Sequence, residues 1–260
     1  MKKALLCGLL AAAVFAVPAR AARQVSVQVD GVPLQIQGTL ENGVTYVPLR
    51  TFLDRLGGWE LEWDSTKKQA VAISGEHSLT ADPNADIIVL DGLEYAGSVY
   101  VENGRTWVPL RLTANILGGS VVWDPWLGGV AVTSADAEYD AVELYWLSRI
   151  ISAESRGESM NGQIAVGNVV LNRVKSHQFP DSIPAVIFDT MNGVQFEPVE
   201  NGTVYNAPTE QSVEAARRTL DGADVIGDAL YFYAPALSRG VWINANRTYY
   251  DTIGCHRFYL

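Results

Sequence analysis

An acidic residue interrupts an apolar helical pattern in the second half of this 260-residue chain. In the segment LSRIISAESRGES, Leu147, Ile150, Ile151 and Glu154 follow the i, i+3, i+4, i+7 spacing of one helix face. A carboxyl group on an apolar stripe has its ionised form disfavoured, which raises its pKa toward the working pH of a proton donor. A charge at such a position is either paired or functional, so Glu154 is a candidate proton donor.

A second acid, Glu158, lies one turn further along the same segment. Two acids adjacent on one helix face cannot flank a glycosidic bond, as both retaining and inverting glycosidases require. Gly157 also interrupts the helix between Glu154 and Glu158. We therefore interpret Glu158 as structural and expect it to pair with an arginine, namely Arg156, Arg149 or Arg173.

Three predicted helices must position Glu154. The first begins after Asp140, which can cap its free amides, and ends at Gly157. The second, residues 161–175, is apolar on nearly every side and must be central. On it, Gly167 would allow close approach of a neighbouring helix, and two amides, Asn168 and Asn172, need internal partners. The third, residues 209–222, is expected to turn Val213, Ala216 and Leu220 to one face.

The first half of the chain contains an internal repeat. Residues 42–74 align with residues 103–134, one residue shorter after the double glycine. Each unit predicts an Asn-Gly turn, a short strand, a proline at a helix start, a helix ended by Gly-Gly, and two strands around a turn. The predicted fold is therefore α+β and multidomain, with repeated small α/β units followed by a mainly helical domain. The strand pattern is lost near residues 135–140, where we place the boundary.

Aromatic residues occupy matched places in the two repeats: Tyr46, Trp107, Trp63 and Trp123. They could form a platform for glycans. Matched positions favour core packing instead, because aromatic side chains dominate the cores of small domains.

The first 22 residues have the features of a cleaved secretory signal: two lysines, a short apolar run and an A-x-A end at Ala21. We expect a secreted protein, with an uncleaved N-terminal anchor as the alternative. Removing this segment takes away Lys2, Lys3 and Arg20, so the net charge falls from −10 to −13, with 16 basic and 29 acidic residues left. This charge excludes nucleic acid as a partner attracted by charge. Cys255 is then the remaining cysteine, which leaves no internal disulfide.

The repeats carry the pattern NG-T-(Y/W)-VPLR, GG, WD and V-A-(I/V), which resembles the copper amine oxidase N-terminal-like, or stalk, domain. The resemblance covers residues 23–135 and implies a spacer or a module that contacts a wall polymer. It does not imply copper, because this region offers His77 and no cysteine or methionine as a ligand.

Residues 136–260 resemble the SleB/CwlJ family of cell wall hydrolases, the spore cortex-lytic enzymes. The resemblance is carried by AESRGE, GQIAVGNVVLNRV, FPDSIPAVI, QF, DALYFYAP and IGCHRFY, in the family's order. It implies a lysozyme-like fold that acts on the glycan strands of peptidoglycan in the wall or spore cortex, with Glu154 as catalytic acid and no cofactor. With one convincing acid, lytic transglycosylation fits best, because the sugar's own 6-hydroxyl can be the nucleophile. We expect substrate contacts from the following residues: Gln195, Phe196, Tyr231, Tyr233 and His256.

Three alternatives stay open at this point. A muramidase or glucosaminidase could instead use a water, with Asp228 or Asp251 as the second group. A non-catalytic wall-binding protein is the second alternative. A metal-dependent amidase is disfavoured, because His77, His177 and His256 are scattered along the chain without a ligand motif. The oligomeric state is not indicated by the sequence.

Overall fold

The computed structural model of the protein describes residues 22–191 and 193–260. The predicted signal segment lies outside these ranges apart from Ala22. No helix within these ranges is long and apolar enough to cross a membrane. The described chain is β-rich up to Thr133 and mainly helical from Ala141 onward, so the predicted α+β organisation is confirmed.

The front half combines short strands with two helices, α1 (Leu49–Leu56) and α2 (Leu110–Ile116). Its strands are β1 (Arg23–Val25), β2 (Val27–Val29), β3 (Val32–Pro33), β4 (Gly38–Glu41), β5 (Val44–Pro48), β6 (Glu60–Asp64), β7 (Gln69–Ser74), β8 (His77–Asp82), β9 (Ile87–Leu90), β10 (Leu93–Ala96), β11 (Tyr100–Glu102), β12 (Arg105–Pro109), β13 (Ser120–Asp124) and β14 (Gly129–Thr133).

Both repeats follow the predicted order of turn, strand, helix and hairpin. Asn42 and Gly43 have φ values of 49° and 83°, as a tight hairpin turn with two left-handed residues requires. The same turn recurs at Asn103 and Gly104, with φ values of 51° and 71°. The Asn-Gly pairs therefore set the register of the strands that follow them.

The two repeats share one sheet and one core. Strands β5 and β12 pair antiparallel at the centre of a five-stranded sheet with the order β1-β4-β5-β12-β11. Helices α1 and α2 bury apolar residues that include Phe52 and Leu110 against a common cluster. Each repeat alone is too small to bury its apolar face, which explains why the units merge.

The prediction that the matched aromatic residues form core is wrong for two of the four. Trp107 is buried and Tyr46 is half-buried, with Tyr100 packed against both rings. Trp63 and Trp123, by contrast, have 45% and 44% of their surface exposed. They lie on hairpin strands whose outer face is not covered by another element, so repetition at matched positions did not mean burial.

The back half consists of helices and a small sheet. Its elements are α3 (Ala141–Ser155), α4 (Met160–Lys175), α5 (Ile183–Ile187), α6 (Glu197–Glu200), a 3-10 turn (Thr203–Tyr205), α7 (Glu210–Leu220), β15 (Tyr231–Tyr233), α8 (Val241–Asn246), β16 (Tyr249–Ile253) and β17 (His256–Tyr259). The C-terminal strands pair in the order β15-β17-β16. Asp140 caps α3 as expected, since its side chain accepts hydrogen bonds from the amides of Val142 and Glu143.

Helix α4 is central, as its apolar composition predicts. Asn168 donates to the carbonyl of Ala223 at 2.7 Å, and Asn172 donates to the carbonyls of Gly227 and Ala229. These bonds tie the helix to the loop that leads into β15. A side chain at Gly167 would lie 2.7 Å from the Thr219 hydroxyl, so the absence of a side chain permits the approach of α7.

Helix α7 buries a face different from the one expected. The predicted Val213 and Leu220 are half-buried, whereas the fully buried residues are Ser212, Ala215, Ala216 and Thr219. A buried hydrogen bond explains this difference. The Ser212 hydroxyl donates to Gln163 on α4 at 2.8 Å, which fixes the rotation of α7 about its axis. Small residues on this face also allow α7 to pack closely on α3 and α4.

The β13–β14 hairpin of the second repeat packs on the helical half. The Trp146 indole N–H donates to Asp124 at 2.8 Å in a buried contact, and Trp126 stacks on Phe188 at 6.0 Å. In the first repeat the positions of Trp126 and Leu127 are held by Thr66 and Lys67. The second hairpin has therefore exchanged polar turn residues for apolar ones that join the core of the helical half.

Candidate active site

Glu154 lies in the last turn of α3 and is half-buried. Its pKa is raised to about 7, chiefly by burial and also by the nearby Glu197 carboxylate, while the Arg173 guanidinium acts in the opposite direction. The C-terminal end of a helix carries partial negative charge, which also disfavours an ionised carboxyl. Glu154 is therefore able to hold a proton near neutral pH and to release it.

The end of α3 is fixed by hydrogen bonds within the chain. The Ser155 hydroxyl donates to the carbonyl of Ile151 at 2.8 Å, and the amide of Glu158 donates to the carbonyl of Ser155. The helix thus ends at Ser155 rather than at the predicted Gly157. Glu154 consequently projects from a rigid helix and not from the turn that follows it.

Arg173 on α4 is the cation beside Glu154. It is 5% exposed, its Nε donates to the carbonyl of Leu230 at 2.9 Å, and its guanidinium lies 4.9 Å from the ring of Phe179 and 5.1 Å from that of Phe196. Burial lowers its pKa to about 10, which leaves it charged at neutral pH. Its buried Nη1 has no hydrogen-bond partner among the described residues.

Aromatic side chains continue from Arg173 along the surface. Tyr231 on β15 lies 5.7 Å from the Arg173 guanidinium, and its hydroxyl accepts a hydrogen bond from Arg247 at 2.7 Å. Arg247 also lies over the ring of Trp242, which is 58% exposed. This row of stacked rings and guanidinium groups presents flat surfaces of the kind on which pyranose rings pack.

The residues expected to contact substrate do not all lie in this row of rings. Tyr231 is in the row just described, while the hydroxyl of Tyr233 accepts from Asn244 at 3.0 Å and its ring packs against Tyr259. The Gln195 amide donates to the carbonyl of Gly193 in its own loop. Phe232, between the two tyrosines on this strand, packs on Phe196 and Phe258.

Two of the residues expected to contact substrate, Phe196 and His256, are buried, so this expectation is wrong for them. Phe196 is 2% exposed and lies beneath the Arg173 guanidinium, so it supports the site from the core. His256 is 7% exposed and its ring meets Phe232 edge-on at 5.3 Å. Burial lowers the pKa of His256, which keeps the ring neutral near pH 7. Both side chains hold the sheet against α4 rather than facing solvent.

Glu158 is structural, but its partner is not an arginine. Its carboxylate accepts a hydrogen bond from the backbone amide of Cys255 at 3.2 Å, across the turn between β16 and β17. In that turn Gly254 has a φ of 58°, and its α-carbon lies too close to the Glu158 carboxylate for any side chain. Arg149, one of the expected partners, instead stacks over Tyr145 at 3.4 Å.

The second carboxylate near Glu154 is Glu197, which the sequence did not indicate. Its charge raises the pKa of Glu154. The acids considered from the sequence, Asp228 and Asp251, are exposed and do not shift this pKa. Glu197 directly follows the segment QF, so its position beside two expected contact residues was the available signal. Arg173 and Trp242 were likewise missed as site residues, because nothing local in the sequence relates them to Glu154.

Metal binding was tested on the described ranges. They contain no group of three or more His, Cys, Asp or Glu residues placed to hold a metal ion. In the repeats, the His77 ring is held by Asp91 at 2.7 Å in an exposed pair. The residues present therefore do not fit a copper site, and we derive no step through a metal.

Each half of the chain contains a region that matches a family sequence model. Residues 157–259 match the family described as Cell Wall Hydrolase, and residues 28–130 match the family described as Copper amine oxidase N-terminal domain. The first match begins three residues after Glu154. The assignment of Glu154 therefore depends on its position in this structure as well as on the motif around it.

Relatives with a described role match the back half. The spore cortex-lytic enzyme of Bacillus cereus is 34% identical over 126 residues, which are 48% of this chain and 47% of the relative. That of Bacillus subtilis is 36% identical over 112 residues, 43% of this chain and 35% of the relative. The chain thus spans less than half the length of these relatives.

A solved structure is also similar in sequence. The catalytic domain of the germination-specific lytic transglycosylase SleB from Bacillus anthracis is 34% identical, with a TM-score of 0.43. The matched region covers 47% of this chain and 98% of that domain.

Proposed function

We propose that this chain is an enzyme that cleaves the glycan strands of peptidoglycan, because residues 157–259 match the Cell Wall Hydrolase family. The observation that carries the proposal is the half-buried Glu154 carboxyl, whose pKa is raised to about 7 beside a buried arginine and a row of aromatic rings. Its relatives are spore cortex-lytic enzymes, so spore cortex during germination is the proposed substrate, and the vegetative wall is the alternative.

The proposed reaction is lytic transglycosylation with Glu154 as the single acid and base. Protonated Glu154 gives its proton to the glycosidic oxygen as the bond from that oxygen to C1 of the muramic acid breaks. The resulting carboxylate then removes the proton from the 6-hydroxyl of the same sugar, whose oxygen bonds to C1 and closes a 1,6-anhydro ring. The Arg173 charge favours the carboxylate stage, and the Glu197 charge favours the protonated stage.

Hydrolysis is the second candidate, and Glu197 is the observation that favours it. An acid on a different element from Glu154 could activate a water on the other side of the bond, as two-carboxylate glycosidases do. In this version Glu154 remains the acid and Glu197 becomes the base. The products would then end in a reducing sugar.

The proposal extends to the place of action. We expect export through the N-terminal segment and attachment to the wall or cortex through the repeats, which supply none of the groups around Glu154. A catalytic site formed entirely by the back half is consistent with a stalk that serves to locate it. A non-catalytic wall-binding protein would have no need of a proton donor with this pKa.

Digestion of purified peptidoglycan tests the proposal. Glu154→Gln keeps the shape of the side chain but cannot transfer a proton, so we expect cleavage to fall by about 10²–10⁴-fold with the fold preserved. Glu158→Gln is the matched control, since it should affect stability through the Cys255 turn and much less the cleavage rate. An active Glu154→Gln protein would overturn the assignment.

Mass spectrometry of the sugar ends separates the two reactions. Ends of 1,6-anhydromuramic acid support transglycosylation, and reducing ends support hydrolysis. Glu197→Gln should leave the rate of transglycosylation largely intact but abolish hydrolysis if Glu197 is the base. Ends at glucosamine rather than muramic acid would assign the cleaved bond to the other linkage.

A further inference from the structure

A cavity of about 540 Å³ lies in the repeats, lined by residues of the front half alone. This volume is in the range that small ligands occupy. One wall is formed by Trp63, which is 45% exposed, together with Leu61 on the same face of β6. The cavity therefore presents an indole ring that no element of the described chain covers.

The charge of this cavity is opposite to that of the chain. The charged residues in its lining are Arg50 and Arg105, whereas the whole chain carries a net charge of −10. Arg50 is held in place, because its Nη2 donates to the carbonyl of Leu61 at 2.8 Å. Among the described residues neither guanidinium has a carboxylate within 4.0 Å. A held guanidinium, that of Arg50, and a second one, that of Arg105, thus lie in the same cavity as the exposed Trp63 ring.

The second repeat has an equally exposed tryptophan at the same place, but with different neighbours. Trp123 is the counterpart of Trp63, and the guanidinium of Arg23 lies over its ring at 5.7 Å. Strand β1, which carries Arg23, pairs with β4, while β11, the counterpart of β4, is an edge strand with no outer neighbour in the described sheet. The counterpart of Arg105 is Val44. The cavity is therefore formed by both repeats, with Arg50 and Trp63 from the first and Arg105 from the second.

We propose that this cavity is a second, non-catalytic carbohydrate site that binds an anionic sugar segment of a wall polymer. The apolar face of a pyranose ring would pack on Trp63, and a carboxylate or phosphate group of the polymer would lie between Arg50 and Arg105. Guanidinium groups match such anions because they present paired N–H donors in a planar fork. The wall as the source of the polymer rests on the proposed function.

The proposed site would act by attachment. Because it is separate from Glu154, a polymer held there keeps the enzyme on the wall between cleavage events. Local positive charge is needed for this role, since the acidic chain as a whole repels anionic polymers. The carboxylates of peptidoglycan and the phosphates of a wall-linked polymer share the required chemistry.

Sedimentation with insoluble wall sacculi tests the proposal, using the full chain with Glu154→Gln so that the wall is not digested. In this background we expect Trp63→Ala and Arg105→Val to weaken binding by about tenfold each, the scale of one well-placed contact. Arg105→Val installs the residue that the first repeat has at this position, Val44, and does not disturb a core side chain. Trp123→Ala is the matched control and should bind as the parent does.

The outcomes are distinguishable. Unchanged binding of both Trp63→Ala and Arg105→Val, equal weakening by Trp123→Ala, or no binding by the parent would overturn the proposal. Binding that survives removal of phosphate polymers by hydrofluoric acid assigns the anion to peptidoglycan carboxylates, and binding lost on this treatment assigns it to phosphate. Failure of the proposed function is seen separately, as absence of cleavage by the wild-type chain.

Discussion

Three influences determine the protonation of Glu154, and they do not act in the same direction. Burial is the largest and raises its pKa, Glu197 adds to this effect, and Arg173 opposes it. A general acid works best when its pKa is close to the working pH, because it must be protonated before the reaction and ionised after it. Because Glu197 raises the pKa of Glu154 and Arg173 lowers it, the balance of these two charges helps to set this pKa.

The alkaline side of the pH profile should report this balance. Free enzyme with protonated Glu154 is the active form, so kcat/KM should fall as the pH rises through about 7. Glu197→Gln removes a charge that disfavours ionisation of Glu154, so the pKa falls and the alkaline limb moves to lower pH. Rates measured on soluble glycan fragments across the pH range check this shift.

Glu200→Gln is the control for that measurement. Glu200 is exposed on the same helix, α6, and is not among the groups that shift the pKa of Glu154. Its profile should superimpose on that of the wild type. An alkaline limb that stays in place in Glu197→Gln would show that the two carboxyl groups do not interact.

At the scale of elements, the site depends on the packing of α3, α4 and α7. Glu154 comes from α3 and Arg173 from α4, so the relative position of these helices determines the distance between acid and cation. Gly167 is where α4 comes closest to its neighbours, with the side chains of Ile151 and Thr219 facing its α-carbon. The helix packing therefore depends on one residue without a side chain.

Gly167→Ala should destabilise the helical half. The added methyl group would lie 2.7 Å from the Thr219 hydroxyl and 2.9 Å from Ile151, so the helices must separate. We expect a loss of about 1–3 kcal/mol in the free energy of unfolding, the scale of overpacking in a core. Urea denaturation measures it. Gly157→Ala, at an exposed position with no atom within 4 Å, should change it by less than about 0.5 kcal/mol.

At the scale of the whole molecule, one hairpin joins the two halves. Asp124 is 1% exposed and accepts from the turn amides of Trp126 and Leu127 through one oxygen and from the Trp146 indole through the other. Asp64, its counterpart in the first repeat, makes the same turn contacts without a partner from the helical half. The turn is thus present in both repeats, but in the second repeat it also binds the helical half through Trp146.

Asp124→Asn tests this role against Asp64→Asn. The asparagine amide can keep the turn contacts, but it places an N–H group opposite the Trp146 indole N–H. We expect a loss of about 1–3 kcal/mol in the free energy of unfolding, the cost of leaving a buried donor unsatisfied. Asp64→Asn should cost much less. Equal losses in denaturant titrations of the two variants would indicate that the contact with Trp146 contributes nothing.

A fragment of residues 136–260 tests the domain boundary. It retains Glu154, Glu197 and Arg173, so we expect it to fold and to cleave soluble glycan fragments, with weaker attachment to whole walls. Its melting temperature should be lower than that of the full chain, because Trp146 and Phe188 lose their partners Asp124 and Trp126. Thermal denaturation and activity measurements check both expectations, and an unfolded fragment would move the boundary into the repeats.

Local patterns in the sequence were sufficient for much of the fold and for one site residue. The Asn-Gly turns, the cap at Asp140 and the partners required by Asn168 and Asn172 follow from backbone geometry and unsatisfied hydrogen bonds, which act over a few residues or force a partner to exist. Glu154 was recognisable for the same reason, since a charge on an apolar helix stripe is anomalous wherever the helix lies.

Tertiary structure decided what surrounds that residue. The acid near Glu154 is Glu197 and not Asp228 or Asp251, the partner of Glu158 is a backbone amide and not an arginine, and Phe196 is core. These relations join segments that are far apart in the chain, so no spacing encodes them. The repeats show the same limit. Trp63 and Trp123 occupy matched positions and are equally exposed, yet Arg23 of β1 lies over the Trp123 ring, because the neighbours of a residue depend on the tertiary fold.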